Sequence, residues 1–217
     1  MARTSRITIP PEFEIGYKKS AIAVSNEAIS LETGTHYLLA RNGRGKTTLL
    51  RTLAGSLQAV SGNAEVEGFV QYIPEDIEYD AHLSAEVILK TLVPKGRREA
   101  CLAFADKVEL DVKKNYRDLS TGNKRKISWL MAEFCCDVAR GNVLLLDEPF
   151  TGLDSYVREA FMEYWEENEE GVCRLVSCHP DFDSMAINSA VIISEGKIVA
   201  STSADGQSWG ELKEGLK

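Results

Sequence analysis

The chain has 217 residues, 44% of them hydrophobic and 27% charged, enough for one sizeable globular domain with room for a small insert. Its formal charge of −8 argues against a broad nucleic-acid footprint, although a local basic pocket for a nucleotide is compatible with it. No apolar run approaches the ~20 residues that span a bilayer, and Met1 to Arg6 leads into no apolar stretch of the secretory kind. The expectation is a cytosolic protein whose five cysteines, Cys101, Cys135, Cys136, Cys173 and Cys178, stay reduced.

Residues 6–39 alternate like short strands, with Ile7, Ile9, Phe13 and Ile15, then Ala21 to Val24, then Ile29 to Leu31, punctuated by Pro10-Pro11, Lys18-Lys19-Ser20 and Glu32-Thr33-Gly34. So many strands at the start predict a small antiparallel sheet apart from the main one. Tyr17 falls at a hairpin tip, where its ring face is free to meet a base.

The run Thr35 to Leu39 reads as a buried strand. Ala40-Arg41-Asn42-Gly43-Arg44-Gly45-Lys46-Thr47-Thr48 follows, and then Leu49, Leu50 and Leu53 on one face of a helix ending near Gly55. Strand, glycine-rich loop, helix is the order that cradles phosphate. The helix N-terminus aims backbone N–H groups at one point and adds roughly half a positive charge. Gly43 and Gly45 let the backbone curl. In that chemistry Lys46 reaches the outer phosphates and the Thr47 hydroxyl holds Mg²⁺.

A strand ends at Val70-Gln71-Tyr72-Ile73-Pro74, before an acidic loop from Glu75 to Glu78. Ser84 reads as an N-cap for a helix carrying Val87, Ile88 and Leu92, and a second helix over about 97–108 presents Cys101, Phe104, Ala105 and Val108. Residues 84 to about 138 therefore read as an inserted helical subdomain. Within it, Leu119 to Asn123 opens a helix with Ser120 as its N-cap, and the basic run Lys124-Arg125-Lys126 follows. Positive charge in a first turn opposes the helix dipole, a hint that an anionic group comes near.

Asn142 to Leu146 is a continuous apolar run fit for a central parallel strand, and it ends in Asp147 and Glu148. Ligands sit at the carboxyl ends of such strands. Neighbouring residues point to opposite sides, so Asp147 can take Mg²⁺ while Glu148 orients or deprotonates a water. Gly152-Leu153-Asp154 leads into a helix through Tyr156, Val157, Phe161 and Trp165. A further buried strand, Cys173 to Ser177, delivers Cys178 and His179 to the same edge. Val191 to Ile193, a Glu195-Gly196 turn and Ile198-Val199 make a closing hairpin, and the tail from Ser201 reads as short and polar.

Taken together, these motifs resemble, over about residues 7–200, the nucleotide-binding domain of the ATP-binding-cassette (ABC) superfamily. The resemblance implies an α/β fold: a P-loop NTPase core with a mostly parallel sheet flanked by helices, a small antiparallel β subdomain and an inserted α-helical subdomain at about 84–138, all in one domain spanning 1–217. On it, Ala40 to Thr48 (with Asn42, Gly43, Arg44, Gly45, Lys46, Thr47 and Thr48 binding nucleotide) is Walker A, and Val143 to Glu148 is Walker B with Glu148 as the catalytic glutamate. Leu119 to Asn123 matches the signature LSGGQ, where Ser120 and Gly122 would meet the γ-phosphate. Gly152 to Asp154 matches the D-loop, His179 the switch histidine and Tyr17 the adenine-stacking aromatic. Three departures stand out: Ala40 for the first Walker glycine, Thr121 and Asn123 within the signature, and Glu75 where the family usually has the Q-loop glutamine.

The implied cofactors are ATP and Mg²⁺, with Thr47, Asp147 and Glu75 as metal ligands and Lys46, Glu148 and His179 in catalysis. The implied partners are a separately encoded transmembrane permease and a second ABC subunit, identical or different, joined head to tail. No nucleic acid is expected. The implied place is cytoplasmic, on the inner face of a membrane. The expected function is ATP hydrolysis that powers transport. The alternatives are a soluble non-transport ABC ATPase or a low-turnover regulatory subunit.

Overall fold

The computed structural model describes residues 5–137, 139–178, 186–214 and 216. In chain order the elements are β1 (Arg6–Ile9), β2 (Glu14–Tyr17), β3 (Ser20–Ser25), β4 (Ile29–Leu31), β5 (Gly34–Ala40), α1 (Lys46–Leu53), β6 (Glu65–Glu67), β7 (Phe69–Ile73), α2 (Ala85–Leu92), α3 (Arg98–Lys107), α4 (Thr121–Phe134), β8 (Asn142–Leu146), α5 (Ser155–Glu167), β9 (Val172–Ser177), β10 (Ala186–Ser194), β11 (Lys197–Ser208) and α6 (Trp209–Glu214). The chain divides into two compact units. One holds Met1–Pro74, Val138–Glu148 and Glu169–Lys217; the other holds Glu75–Asp137 and Pro149–Asn168.

The first unit is built on an eight-stranded mixed sheet in the order β2-β3-β11-β10-β5-β9-β8-β7. Five neighbours, β10, β5, β9, β8 and β7, run parallel. Every residue of β8 and of β9 is buried, which is why these segments lack the alternation of half-exposed strands. The separate antiparallel sheet is present, in the order β4-β1-β6. Leu49, Leu50 and Leu53 of α1 join Ile7, Ile15, Leu38, Val143, Leu175 and Ile193 in one core cluster. So the α/β class expected from the sequence, with a mostly parallel sheet and a second small sheet, is the class observed.

The carboxyl-terminal segment is more regular than a polar tail. β11 continues to Ser208, paired with β10 as far as Ala186↔Ser208, and α6 follows. Backbone pairing, rather than an apolar pattern, carries that extension. The hairpin between the two strands turns at Glu195 and Gly196, both with left-handed backbone (φ 51° and 73°).

The second unit contains α2, α3, α4 and α5. Ser84 caps α2 by accepting from the Val87 N–H at 3.3 Å. An aromatic cluster holds the helices together: Trp129 of α4 stacks on Phe161 of α5 at 3.9 Å between centroids, with Phe104 of α3 on Trp129 at 5.2 Å. The Trp165 indole N–H donates to the buried Glu133 carboxylate at 2.7 Å. These ties group α5 with helices some thirty residues or more before it in sequence.

Candidate functional site

The order of the parallel strands places the site. β9 lies between β5 and β8, so the end of β5 at Ala40, the end of β9 at Ser177 and the end of β8 at Leu146 form one edge. Asp147 and Glu148 leave β8 there, and the glycine-rich loop leaves β5.

Gly43 and Gly45 both have left-handed backbone, φ 74° and 108°, a conformation other residues reach at a cost. Gly45 is also the N-cap of α1, with no side-chain acceptor and no acidic residue in the first turn. The first-turn N–H groups therefore have no intrahelical partners, and the positive helix end is not offset locally. Asn42, Gly43, Arg44 and Thr47 are exposed, and Lys46 and Thr48 are buried. The Lys46 ammonium lies 3.2 Å from Glu148 Oε1 and donates to the Ala40 carbonyl at 3.4 Å. The Thr48 hydroxyl donates to the Tyr17 hydroxyl at 3.3 Å, which sets the half-exposed Tyr17 ring beside the loop.

Asp147 is buried and its backbone N–H donates to the Ile73 carbonyl at 3.0 Å. Its Oδ1 accepts from the Ser177 hydroxyl at 2.8 Å and its Oδ2 from the Tyr72 hydroxyl at 3.4 Å. Burial raises the Tyr72 pKa, which keeps that hydroxyl protonated as a donor. The next residue, Glu148, has φ 50°, a left-handed backbone that a non-glycine residue holds at a cost of roughly 1–3 kcal/mol. Its N–H donates to Ser177 Oγ at 2.8 Å. Cys178 is buried, and desolvation pushes its pKa well up, so the thiol stays protonated. His179 lies outside the described residues.

The residues fit a magnesium–nucleotide. The loop offers N–H donors and a lysine to phosphate oxygens. Thr47 and Asp147 offer the hard oxygen donors that Mg²⁺ takes. Among the described residues no group of three His, Cys, Asp or Glu side chains forms a metal cage. One or two carboxylates beside phosphate oxygens is the arrangement Mg²⁺ accepts.

In the second unit, Ser120 caps α4 by accepting from the Asn123 N–H at 3.3 Å. Gly122 faces the Gly152 carbonyl so closely that a Cβ would stand 2.4 Å from that oxygen. Gly152 itself has φ 77°, and Asp154 caps α5 by accepting from the Val157 N–H at 2.9 Å. The basic run Lys124-Arg125-Lys126, at the fourth to sixth positions of α4, is met by groups of the same unit. The Lys124 ammonium sits 4.6 Å over the Tyr116 ring. Arg125 donates to the Glu75 carbonyl and lies 3.6 Å from its carboxylate. Lys126 is buried, its pKa lowered by desolvation against the opposing charges of Asp154 and Glu109. Glu75, expected as a metal ligand, thus carries a guanidinium on its carboxylate.

Ser177 and Tyr72 are the site residues that sequence reasoning did not single out. A strand-end serine has no signature of its own. Only the neighbouring register, Leu146↔Val176, brings Ser177 beside Asp147.

The family model for ABC transporters matches residues 25–151. Among curated proteins, the chain is 30% identical over 172 residues to an uncharacterized ABC transporter ATP-binding protein of Methanocaldococcus jannaschii, covering 75% of this chain and 64% of that protein. It is also 30% identical over 169 residues to the ABC transporter ATP-binding protein YtrB of Bacillus subtilis, covering 70% of this chain and 56% of that one. The chain thus spans less than two thirds of the length of these two relatives. A solved structure of the ATP binding subunit of an ABC transporter superposes with a TM-score of 0.77 at 20% identity, covering 97% of this chain and 98% of that chain, a likeness of fold. With the glycine-rich loop, the paired acids of β8 and the family match in agreement, the chain belongs to the ABC transporter family.

Proposed function

We propose that the chain is the ATP-binding and ATP-hydrolysing subunit of a membrane transporter, working at the cytoplasmic face with a separately encoded permease. The observation that carries this reading is the convergence on Lys46. Its ammonium stands at the mouth of a loop of left-handed glycines and meets Glu148, the residue after the buried Asp147.

In this reading the loop N–H groups and Lys46 bind the phosphates, and Tyr17 stacks on the base. Glu148 orients and deprotonates the attacking water. Bound Mg²⁺ supplies charge neutralisation at the phosphate oxygens, with the Thr47 hydroxyl and the Asp147 carboxylate as its protein ligands. Positioning and electrostatics then do most of the work of phosphoryl transfer. Ser120 and Gly122 of one subunit complete the site of a second, joined head to tail, and His179 adds a donor to the transferred phosphate.

The test is ATP turnover of the purified protein together with light scattering of Glu148→Gln. Wild type should hydrolyse ATP. Glu148→Gln should bind ATP with turnover nearly abolished, and should pass from monomer to dimer when Mg-ATP is added. A wild-type protein without ATP binding would overturn the proposal. A Glu148→Gln protein that stays monomeric with saturating Mg-ATP would overturn the head-to-tail homodimer.

A further inference from the structure

We infer that Ser177 is the positioning residue that gives Asp147 and Glu148 their separate tasks; as a statement about catalysis this rests on the ATPase reading above. Ser177 is fully buried at the end of β9. A hydroxyl has one proton to donate and two lone pairs to accept with. The Glu148 N–H can only donate, so Ser177 Oγ accepts there at 2.8 Å. Its single proton is then committed to Asp147 Oδ1, also at 2.8 Å. The directions of both bonds follow from the partners alone.

Two restraints result. The Asp147 carboxylate is held by a charge-assisted bond on one oxygen, with Tyr72 on the other. The Glu148 backbone is tied at the residue where φ is 50°, the conformation a glutamate would otherwise leave. Adjacent strand residues point to opposite sides. A left-handed residue immediately after Asp147 breaks that alternation and redirects the Glu148 side chain, which lies against Lys46. The Ser177 hydroxyl therefore acts through both acids at once, from the strand that lies between the loop-bearing β5 and β8.

The experiment compares Ser177→Ala, Ser177→Thr and wild type. The first readout is backbone amide exchange at Glu148 in the nucleotide-free protein. The others are ATP affinity with and without Mg²⁺, and kcat and KM for ATP. Ser177→Ala should speed Glu148 amide exchange about tenfold, lower the Mg²⁺-dependent gain in ATP affinity about tenfold and lower kcat more than it alters KM, on the scale of one lost buried hydrogen bond to a charged group. ATP affinity without Mg²⁺ should stay at the wild-type value. Ser177→Thr, which keeps the hydroxyl, should restore all three. Unchanged exchange and unchanged Mg²⁺ dependence in Ser177→Ala would overturn the inference, as would equal impairment of the Ala and Thr variants with the Glu148 amide still protected. Wild-type protein that binds no ATP would sink the ATPase reading instead, and Glu148 amide exchange would still decide whether Ser177 holds that backbone.

Discussion

Lys46 Nζ stands 3.2 Å from Glu148 Oε1, with side-chain exposures of 9% and 12%. A pair this hidden is weak evidence of stability, because desolvation offsets much of its attraction. In the ATPase reading it is a competition: a phosphate drawn to Lys46 weakens that ammonium's hold on Glu148, whose carboxylate is then available to a water. Glu148→Gln removes the competitor's charge, so ATP should bind at least as tightly as to wild type. Lys46→Ala should weaken ATP binding by about tenfold or more and lower thermal stability by taking the ammonium away from a nearly buried carboxylate. Calorimetric titration measures both. Weaker ATP binding by Glu148→Gln than by wild type would refute the competition.

Tyr17 is bonded through its hydroxyl to Thr48, whereas the stacking proposed for it would use its ring. Tyr17→Ala should weaken ATP binding about tenfold, since base–aromatic stacking contributes ~1–3 kcal/mol. Tyr17→Phe keeps the ring and should stay within about twofold of wild type. Equal losses in the two variants would assign the effect to the hydroxyl bond instead.

Gly122 has a packing reason to be glycine that is independent of any ligand. With the Gly152 carbonyl 2.4 Å from a built Cβ, Gly122→Ala must shift backbone against backbone. The expected cost of about 1–3 kcal/mol is a fall in Tm of roughly 3–10 °C, with turnover lowered as well. Gly96→Ala is the control, because a Cβ there meets nothing within 4 Å, and it should leave Tm within about 2 °C. Scanning calorimetry on the two variants decides it; similar melting of both would mean that the loop at Gly152 yields freely.

His36 gives the fold a pH dependence. Burial lowers its pKa below the ordinary 6.5, against the raising influence of the Glu32 carbonyl bond and of the Glu169 and Glu32 charges. The ring lies 2.7 Å from the Ser189 hydroxyl through Nδ1 and 3.0 Å from the Glu32 carbonyl through Nε2. The folded state thus favours the neutral imidazole and binds fewer protons than the unfolded chain. Its contribution is fully present above about 6.5 and is lost as the pH falls through the depressed folded value. Denaturant titrations at pH 7.5 and 5.5 should show wild type losing more stability than His36→Gln. Identical losses would clear His36 of the effect.

Much of the fold and site was legible because local chemistry and tertiary demand coincide. The glycine pair before Lys46, the apolar run before Asp147, and Ser84 and Ser120 as caps each carry their reason in a few adjacent residues, and each sits where the sequence puts it. What escaped depends on pairing between distant segments. Ser177 meets Asp147 across 30 residues. β6 pairs with β1, as in Arg6↔Glu67, and the short alternation Glu65-Val66-Glu67 does not name that partner. The basic turn of α4 looked unanswered because its partners, Glu75, Tyr116 and Asp154, are separated from it in sequence.

The placement of β5 has a consequence for synthesis. Its two neighbours in the sheet are β9 and β10, so a strand made from residues 34–40 finds both partners only within Val172–Ser177 and Ala186–Ser194. Pairing across such separations is slow and entropically costly. At ~5–20 residues per second, the ribosome needs roughly 8–30 s after finishing Ala40 to complete the second partner. The glycine-rich loop that follows β5 is therefore written before either of the strands that flank β5 in the sheet. During that interval Leu38 and Leu39, fully buried in the finished sheet, are open to chaperones and to neighbouring nascent chains.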